Sequence, residues 1–241
     1  MKNIIFYLLI TLAFFGCSKE DDNEDQTNSD SLKLIREVET DLITNTSEIF
    51  DFTYSNNILI KREETEGNNV DKTEYIYENG KLIRNNYFNN SILTGNSTYT
   101  YTGDIISSML SFEDNMYFLH NYTYNSDKKL ISAQQFSNNI LDSSKEFQYN
   151  PQGNMSRILS TNYNVTIEYD NYKNPYSLIF SEPFMNSMDG AGYSKNNVTR
   201  ITESAGYITT YEYTYNDKGY PIQVIEKLNG VSKTRTTYTY E

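Results

Sequence analysis

Apolar and polar residues alternate along this chain in short runs, and each run closes on a pair of large apolar residues, mostly aromatic. The clearest copy is Tyr213-Thr214-Tyr215-Asn216-Asp217-Lys218-Gly219-Tyr220-Pro221-Ile222: an aromatic-x-aromatic strand end, a tight polar turn and an aliphatic strand start. Equivalent pairs stand at Phe52/Tyr54, Tyr75/Tyr77, Tyr99/Tyr101, Tyr122/Tyr124, Phe147/Tyr149, Ile167/Tyr169 and Tyr238/Tyr240. In chain order the first members of the pairs recur at a nearly constant interval, except between Ile167 and Tyr213. That one gap is close to two periods long, so a degenerate copy is expected within it, near Tyr193. A second marker runs in step: Lys33-Leu34-Ile35-Arg36 recurs two periods on as Lys81-Leu82-Ile83-Arg84, and Lys129-Leu130-Ile131 follows after another two. Two markers agreeing on a period of about 24 residues define an internal repeat of supersecondary units.

Each unit predicts two strands and two turns. Side chains alternate faces along a strand, so Tyr99 and Tyr101 share one face and Thr98, Thr100 and Thr102 the other. Tyr, Thr, Ile and Phe suit such a half-buried pleated surface. Asn79-Gly80 reads as a two-residue hairpin turn with φ > 0 at both positions, and Asn56-Asn57 and Gly103-Asp104 look alike. Asn150-Pro151-Gln152-Gly153 and Asn216-Asp217-Lys218-Gly219 have the chemistry of a longer type I turn. Asn68-Asn69, Asn89-Asn90, Asn138-Asn139 and Asn229-Gly230 mark the second turn of their units. The predicted fold is all-β: an antiparallel up-and-down meander of about 16 strands. Strand twist curls so long a meander, and closure removes its edges. A barrel-like or rolled sheet is therefore expected over residues 32–241. Leu34, Arg36 and Val38 are expected to alternate along its first strand. The tyrosine ladder is expected to form most of its core, because the opposite faces are too polar to fill an interior.

Composition narrows the function. The formal net charge of −12 disfavours a nucleic-acid partner, which needs clustered Lys and Arg. A mean hydropathy of −0.66, with Thr, Glu, Gln and Lys opposite the tyrosines, lacks the continuous outward apolar band of a membrane-spanning barrel. The sheet is thus expected not to span a membrane. The single histidine, His120, and single cysteine, Cys17, leave no zinc set. No Gly-rich phosphate loop precedes a helix. Asp-rich turns such as Asp114-Asn115 and Asp189-Gly190 lack the ligand spacing of a Ca²⁺ loop and read as solvated turns. No catalytic residue, metal or cofactor is expected, and an enzyme ranks behind two other classes.

The N-terminal stretch has its own logic. Lys2 precedes an apolar run from Ile4 to Phe15, long enough for a signal peptide and too short to cross a bilayer. The following Gly16-Cys17 resembles a bacterial lipobox. That resemblance implies cleavage between Gly16 and Cys17 and lipidation of Cys17, leaving the mature chain without a disulfide. Residues 18–31 contain no apolar side chain and read as a charged tether. Lys19, Glu20, Asp21 and Asp22 resemble the acidic surface-export signal of Bacteroidota-type lipoproteins, which implies the outer leaflet of the outer membrane, facing the cell exterior. A plain acidic spacer is the alternative. Asp30-Ser31-Leu32 also fits a short O-glycosylation motif of the same bacteria.

The repeat Tyr-x-Tyr-Asn-x-x-Gly resembles the YD repeats of RHS-type proteins, although Tyr-Asp itself occurs in the strand-end pairs only as Tyr169-Asp170. Asn174-Pro175-Tyr176, Lys195-Asn196-Asn197-Val198-Thr199 and Tyr213 to Pro221 together look like a family of Bacteroidota lipoproteins of unknown function. That resemblance covers residues 32–241 and implies a porin-like β fold. It supplies no catalytic residues.

The repeat loosens over residues 171–193, where Pro175, Pro183, Gly190 and Gly192 crowd together. The segment reads either as a functional loop or as a degenerate repeat. Tyr172, Tyr176 and Tyr193 around it are the candidates for an exposed, ligand-facing set. Tyr offers a rigid apolar face with a polar tip, which suits recognition. The expectation is therefore a lipid-anchored surface module that binds glycan or protein without catalysis. The runner-up is a structural or adhesion scaffold with no discrete site.

Overall fold

The computed structural model describes residues 32–161, 163–180, 184–185 and 191–241. The lipobox residues Gly16 and Cys17, the export residues Lys19 to Asp22 and the tether lie outside these, as does Asp189-Gly190. Sixteen antiparallel strands follow one another. They begin with β1 (Leu34–Asp41), β2 (Ser47–Ser55), β3 (Ile58–Glu66), β4 (Asn69–Glu78), β5 (Lys81–Asn89), β6 (Ile92–Thr102), β7 (Ile105–Glu113) and β8 (Met116–Tyr124). They continue with β9 (Leu130–Ser137), β10 (Ile140–Tyr149), β11 (Met155–Ser160), β12 (Asn164–Lys173), β13 (Asn196–Glu203), β14 (Ile208–Tyr215), β15 (Pro221–Leu228) and β16 (Val231–Tyr240). Each pairs with its chain neighbours, and β16 pairs with β1, so the meander closes into a barrel.

The turns are those that the sequence chemistry demands. Asn56-Asn57 and Asn79-Gly80 have positive φ at both positions, matching the right-handed twist of the flanking strands. At Gly103-Asp104 only the glycine is left-handed, which is the II′ rather than the I′ pattern. Two turns of the opposite rim are displaced by one residue from the expected asparagines, to Gly67-Asn68 and Asn90-Ser91.

One device recurs in every unit. The second residue of each strand-end pair faces a buried apolar residue on the neighbouring strand, and the next residue of that facing strand is an extra, unpaired one. Thus Tyr54 faces Leu59 while Thr53 faces Lys61. The extra residues are Ile35, Ile60, Ile83, Ser107, Ile131, Ser156, Thr199 and Ile222. Such bulges bend the strand and sharpen its twist, which helps the sheet curl toward closure. The residues just before them, Leu34, Leu59, Leu82, Ile106, Leu130, Met155, Val198 and Pro221, are all buried and form a ring inside one rim. Tyrosine hydroxyls brace that ring from one unit to the unit before. Tyr54 donates to the Leu34 carbonyl at 2.8 Å, Tyr101 to Leu82 at 2.8 Å, Tyr124 to Ile106 at 2.7 Å and Tyr149 to Leu130 at 2.9 Å. Tyr240 donates to Pro221 at 2.6 Å.

The bulge corrects one expectation. Leu34 and Arg36 do not share a face: the extra Ile35 shifts the alternation, so Glu37 follows Leu34 into the interior and Arg36 reaches outward to Asp51 at 2.6 Å. The tyrosine ladder points inward as expected. Phe52, Tyr75, Phe147 and Ile167 are buried in the two core clusters. The outer wall carries charged pairs at mid-strand, among them Lys61–Glu63, Lys72–Glu74 and Lys227–Glu212.

Candidate functional site

Between β12 and β13 the chain leaves the wall for residues 174–195. No degenerate strand pair appears among its described residues. Instead two short 3₁₀ turns, Pro175–Leu178 and Ala191–Tyr193, carry an apolar cluster into the barrel. Phe180 meets Tyr75 on β4 with ring centroids 6.2 Å apart, and Phe184 meets Tyr99 on β6 at 5.7 Å. The Tyr176 hydroxyl donates to Glu37 on β1 at 3.1 Å. These strands lie far round the barrel from β12 and β13, so the segment crosses the interior beneath the ring and fills its β1–β7 side.

Buried asparagines hold both ends of this insertion. Asn174 accepts from the Tyr176 amide at 2.9 Å and donates to the carbonyls of Gly192 at 2.5 Å and Ser194 at 2.8 Å. Asn154 and Asn196 bond reciprocally: the Asn154 side chain donates to Asn196 Oδ1, and the Asn196 amide donates to Asn154 Oδ1, both at 3.0 Å. Asp170 accepts from the Asn197 amide at 3.1 Å, from its side chain at 3.2 Å and from the Tyr215 hydroxyl. A buried polar group that lacked such partners would cost about 1–3 kcal/mol, so these residues specify one anchored path. They largely coincide with the segments that carry the family resemblance, Asn174-Pro175-Tyr176 and Lys195 to Thr199. Sequence reading did not assign them this role, because an asparagine clamp looks like any Asn-rich turn until its distant partners are known.

On the β9–β12 side the insertion leaves a cavity of about 490 Å³ at the rim. Tyr149, Phe180, Tyr193 and Tyr220 supply aromatic walls, and Lys129, Lys173 and Lys195 supply the charge. Among the described residues lining it there is no carboxylate. Lys129 Nζ lies 5.8 Å from the Tyr149 ring centroid, and Lys173 Nζ lies 5.1 Å from that of Tyr220. Burial pushes the Tyr149 hydroxyl up to about 12, so it stays a neutral donor to the Leu130 carbonyl. Ser194 accepts from the Met155 amide at 3.1 Å and donates to the Tyr169 hydroxyl at 3.0 Å, so its one donor is already used within the wall.

The three tyrosines singled out from the sequence do not form one exposed set. Tyr172 is about half exposed, but its ring is stacked on Tyr215 at 3.9 Å. Tyr176 turns inward against the core cluster, and burial raises its hydroxyl well above the ordinary tyrosine value. Tyr193 lines the cavity and touches both Tyr176 and Phe180. The cavity residues missed were Tyr149, Tyr220 and the three lysines. Lys129 and Tyr149 were visible only as members of the repeat. His120 sits on β8 with its ring stacked on Tyr122 at 6.4 Å. No group of His, Cys, Asp and Glu among the described residues is placed to hold a metal ion.

No family's sequence profile matches the chain, and no curated protein matches it. Solved structures do. A porin-like protein from Bacteroides uniformis matches 88% of this chain and 96% of its own, with a TM-score of 0.59 and 17% identity. A porin-like protein from Bacteroides vulgatus matches over 87% and 98%, with a TM-score of 0.43 and 10% identity. The first likeness is one of fold: the chain has a porin-like, closed all-β barrel, and its activity has to be argued from the site.

Proposed function

We propose that this protein is a lipid-anchored, non-enzymatic binding module at the outer face of the outer membrane, and that it takes glycan or protein at the rim cavity. The cavity carries the reading. Its volume falls in the range of about 300–1,000 Å³ common to ligand pockets. Aromatic side chains wall it, and clamped asparagines hold its shape before any ligand arrives. Pre-organisation of this kind lowers the cost of binding. The charged pairs on the outer wall support a barrel that stands in water and is held to the membrane by a lipid at Cys17, because a lipid-facing wall would have to bury those charges.

The ligand reading is tested by displaying a glycan and host-protein array to the purified, detergent-solubilised full chain. Tyr220→Ala is expected to lose the captured ligand while keeping its melting temperature. An array without a hit, or a hit indifferent to Tyr220, would sink it. The anchor is tested by growing cells with a clickable fatty acid: wild type is labelled, Cys17→Ala is not, and equal labelling of both refutes the anchor. The scaffold reading draws on a different observation, that most ladder tyrosines are committed to bracing the wall. It expects no ligand at all.

A further inference from the structure

We infer that the cavity takes the acidic end of a short anionic saccharide, with its carboxylate or sulfate among Lys129, Lys173 and Lys195. The inference rests on the binding-module reading and names the ligand class for the same cavity. Its first support is a local reversal of charge. The chain carries −12 overall, yet three lysines converge on one cavity, and none of them has a carboxylate within ion-pair distance among the described residues.

The repeat supplies an internal comparison. Lys81 occupies the same repeat position as Lys129, over the ring of Tyr101 at 5.2 Å. Lys81 is spent on the turn of the next hairpin, β6–β7, on the Gly103 carbonyl at 2.6 Å and Asp104 at 3.2 Å. At Lys129 the corresponding turn, Asn150-Pro151-Gln152-Gly153 between β10 and β11, is longer, holds no aspartate and bonds to itself through Asn150, whose side chain accepts from the Gln152 amide at 3.1 Å and the Asn154 amide at 2.9 Å. The Lys129 ammonium therefore lies over Tyr149 without a carbonyl or carboxylate of its own. Lys173 is held over Tyr220 in the same manner, and Lys195 comes from the end of the insertion.

The charged donors of the cavity are its three ammonium groups, with the Asn171 side chain and the Tyr220 hydroxyl as further polar groups in its lining. Ser194 is used twice within the wall, and Asn196 accepts from Asn154 and donates to the Tyr172 carbonyl at 2.8 Å. A ligand rich in acceptors suits those three ammonium groups, and an anionic acceptor gains most from them. The walls of Tyr193, Tyr220 and Phe180 suit the apolar face of a sugar ring. The acidic surroundings repel a long polyanion, so the geometry favours a short saccharide ending in one acidic sugar over a polyelectrolyte or nucleic acid.

Four probes decide the matter by calorimetry on the detergent-solubilised full chain: a galacturonic acid trisaccharide, the same trisaccharide with its carboxyls reduced to alcohols, a 6-sulfated neutral trisaccharide, and a hexaglutamate peptide. At least one acidic saccharide is expected to bind, and the reduced one at least about tenfold more weakly. Relative affinity for the uronate and the sulfate identifies the acid. Binding should weaken with added salt. Lys173→Gln and Lys195→Gln should each weaken it with melting unchanged, while Lys233→Gln, outside the cavity, should not. Equal binding of the reduced trisaccharide, lost in Tyr220→Ala but indifferent to the lysines, overturns the anionic class and leaves the binding module standing. Binding of hexaglutamate without either saccharide overturns it in favour of an acidic protein segment. Failure of both acidic saccharides overturns it whatever an array returns, and an empty array as well removes the module.

Discussion

Among single residues, Glu37 shows what one inward carboxyl costs. It is buried on β1, and burial pushes it up to about 7. The Tyr176 hydroxyl pulls it back, Glu39 pushes it further and Arg62 pulls it down. In the unfolded chain the carboxyl titrates near 4.5. Between those two values the folded state holds a proton that the unfolded state has lost, so this group's contribution to stability falls as pH rises from about 4.5 to about 7. Glu39, Glu64 and Glu226, also raised by burial, act in the same direction. Asp41, lowered by the Thr44 and Ile43 amides, acts oppositely and only at acid pH. Glu37→Gln is expected to raise the melting temperature at pH 8, to change it little at pH 5, and to recover at most about 3 kcal/mol at the higher pH. Melts of both proteins at the two pH values check this. A variant less stable than wild type at pH 8 would mean that the ionised carboxylate is worth more to Tyr176 and Arg62 than its desolvation costs.

The repeating element is a hairpin with a bulge on one strand and a braced tyrosine on the other, and glycine enters it for two different reasons. Gly80 provides φ +76° in a turn with open space around it. Gly95, on β6, instead makes room: a Cβ there would lie 2.5 Å from the Phe112 carbonyl oxygen and 2.8 Å from Glu113 Cγ on β7. The backbone carbonyl can yield only if the β6–β7 pair shifts. Gly95→Ala is expected to cost about 1–3 kcal/mol, as overpacking does. Gly80→Ala should cost about 1 kcal/mol from backbone strain alone. Urea denaturation of both ranks them, and an unchanged midpoint for Gly95→Ala would show that the strand pair has slack there.

For the barrel as a whole, closure is one more copy of the unit, made without a connecting turn between β16 and β1. Tyr240 faces Leu34 across the seam, with the bulge at Ile35, as Tyr54 faces Leu59 within a continuous hairpin. Lys33 and Glu241 then exchange backbone hydrogen bonds at 2.8 and 3.0 Å. Deleting residues 231–241 would expose the edges of β1 and β15 and remove Tyr238 and Tyr240 from the core. That truncation is expected to lose cooperative melting and to aggregate. A permuted barrel domain, with Glu241 linked to Leu32 and new ends opened between Asn138 and Asn139, should keep cooperative melting, because it only moves the cut to another exposed turn. If the permuted chain failed as the truncated one does, closure would depend on something beyond the repeated unit.

Local chemistry alone encodes much of this barrel. Period-two alternation set the strands, and Asn-Gly and Asn-Asn dipeptides set most of the turns, because φ > 0 is a property of a residue and its neighbours. Eight strand-end pairs implied sixteen strands, and the polarity of the opposite faces pointed the tyrosines inward. Other features took shape only once distant strands met. The bulges swap Glu37 for Arg36 on the inner face, since an extra residue is defined only against the strand opposite. The long gap between Ile167 and Tyr213 became a crossing segment instead of a degenerate repeat because Phe180 and Phe184 find apolar partners across the barrel, on β4 and β6. The cavity is the space that this crossing leaves over. Lys129 and Lys195, separated in the chain by β9 to β12 and the insertion, line one site because the asparagine clamp returns the chain to the wall at Ser194. Such pairings depend on where closure brings distant residues together, and no local pattern carries that information.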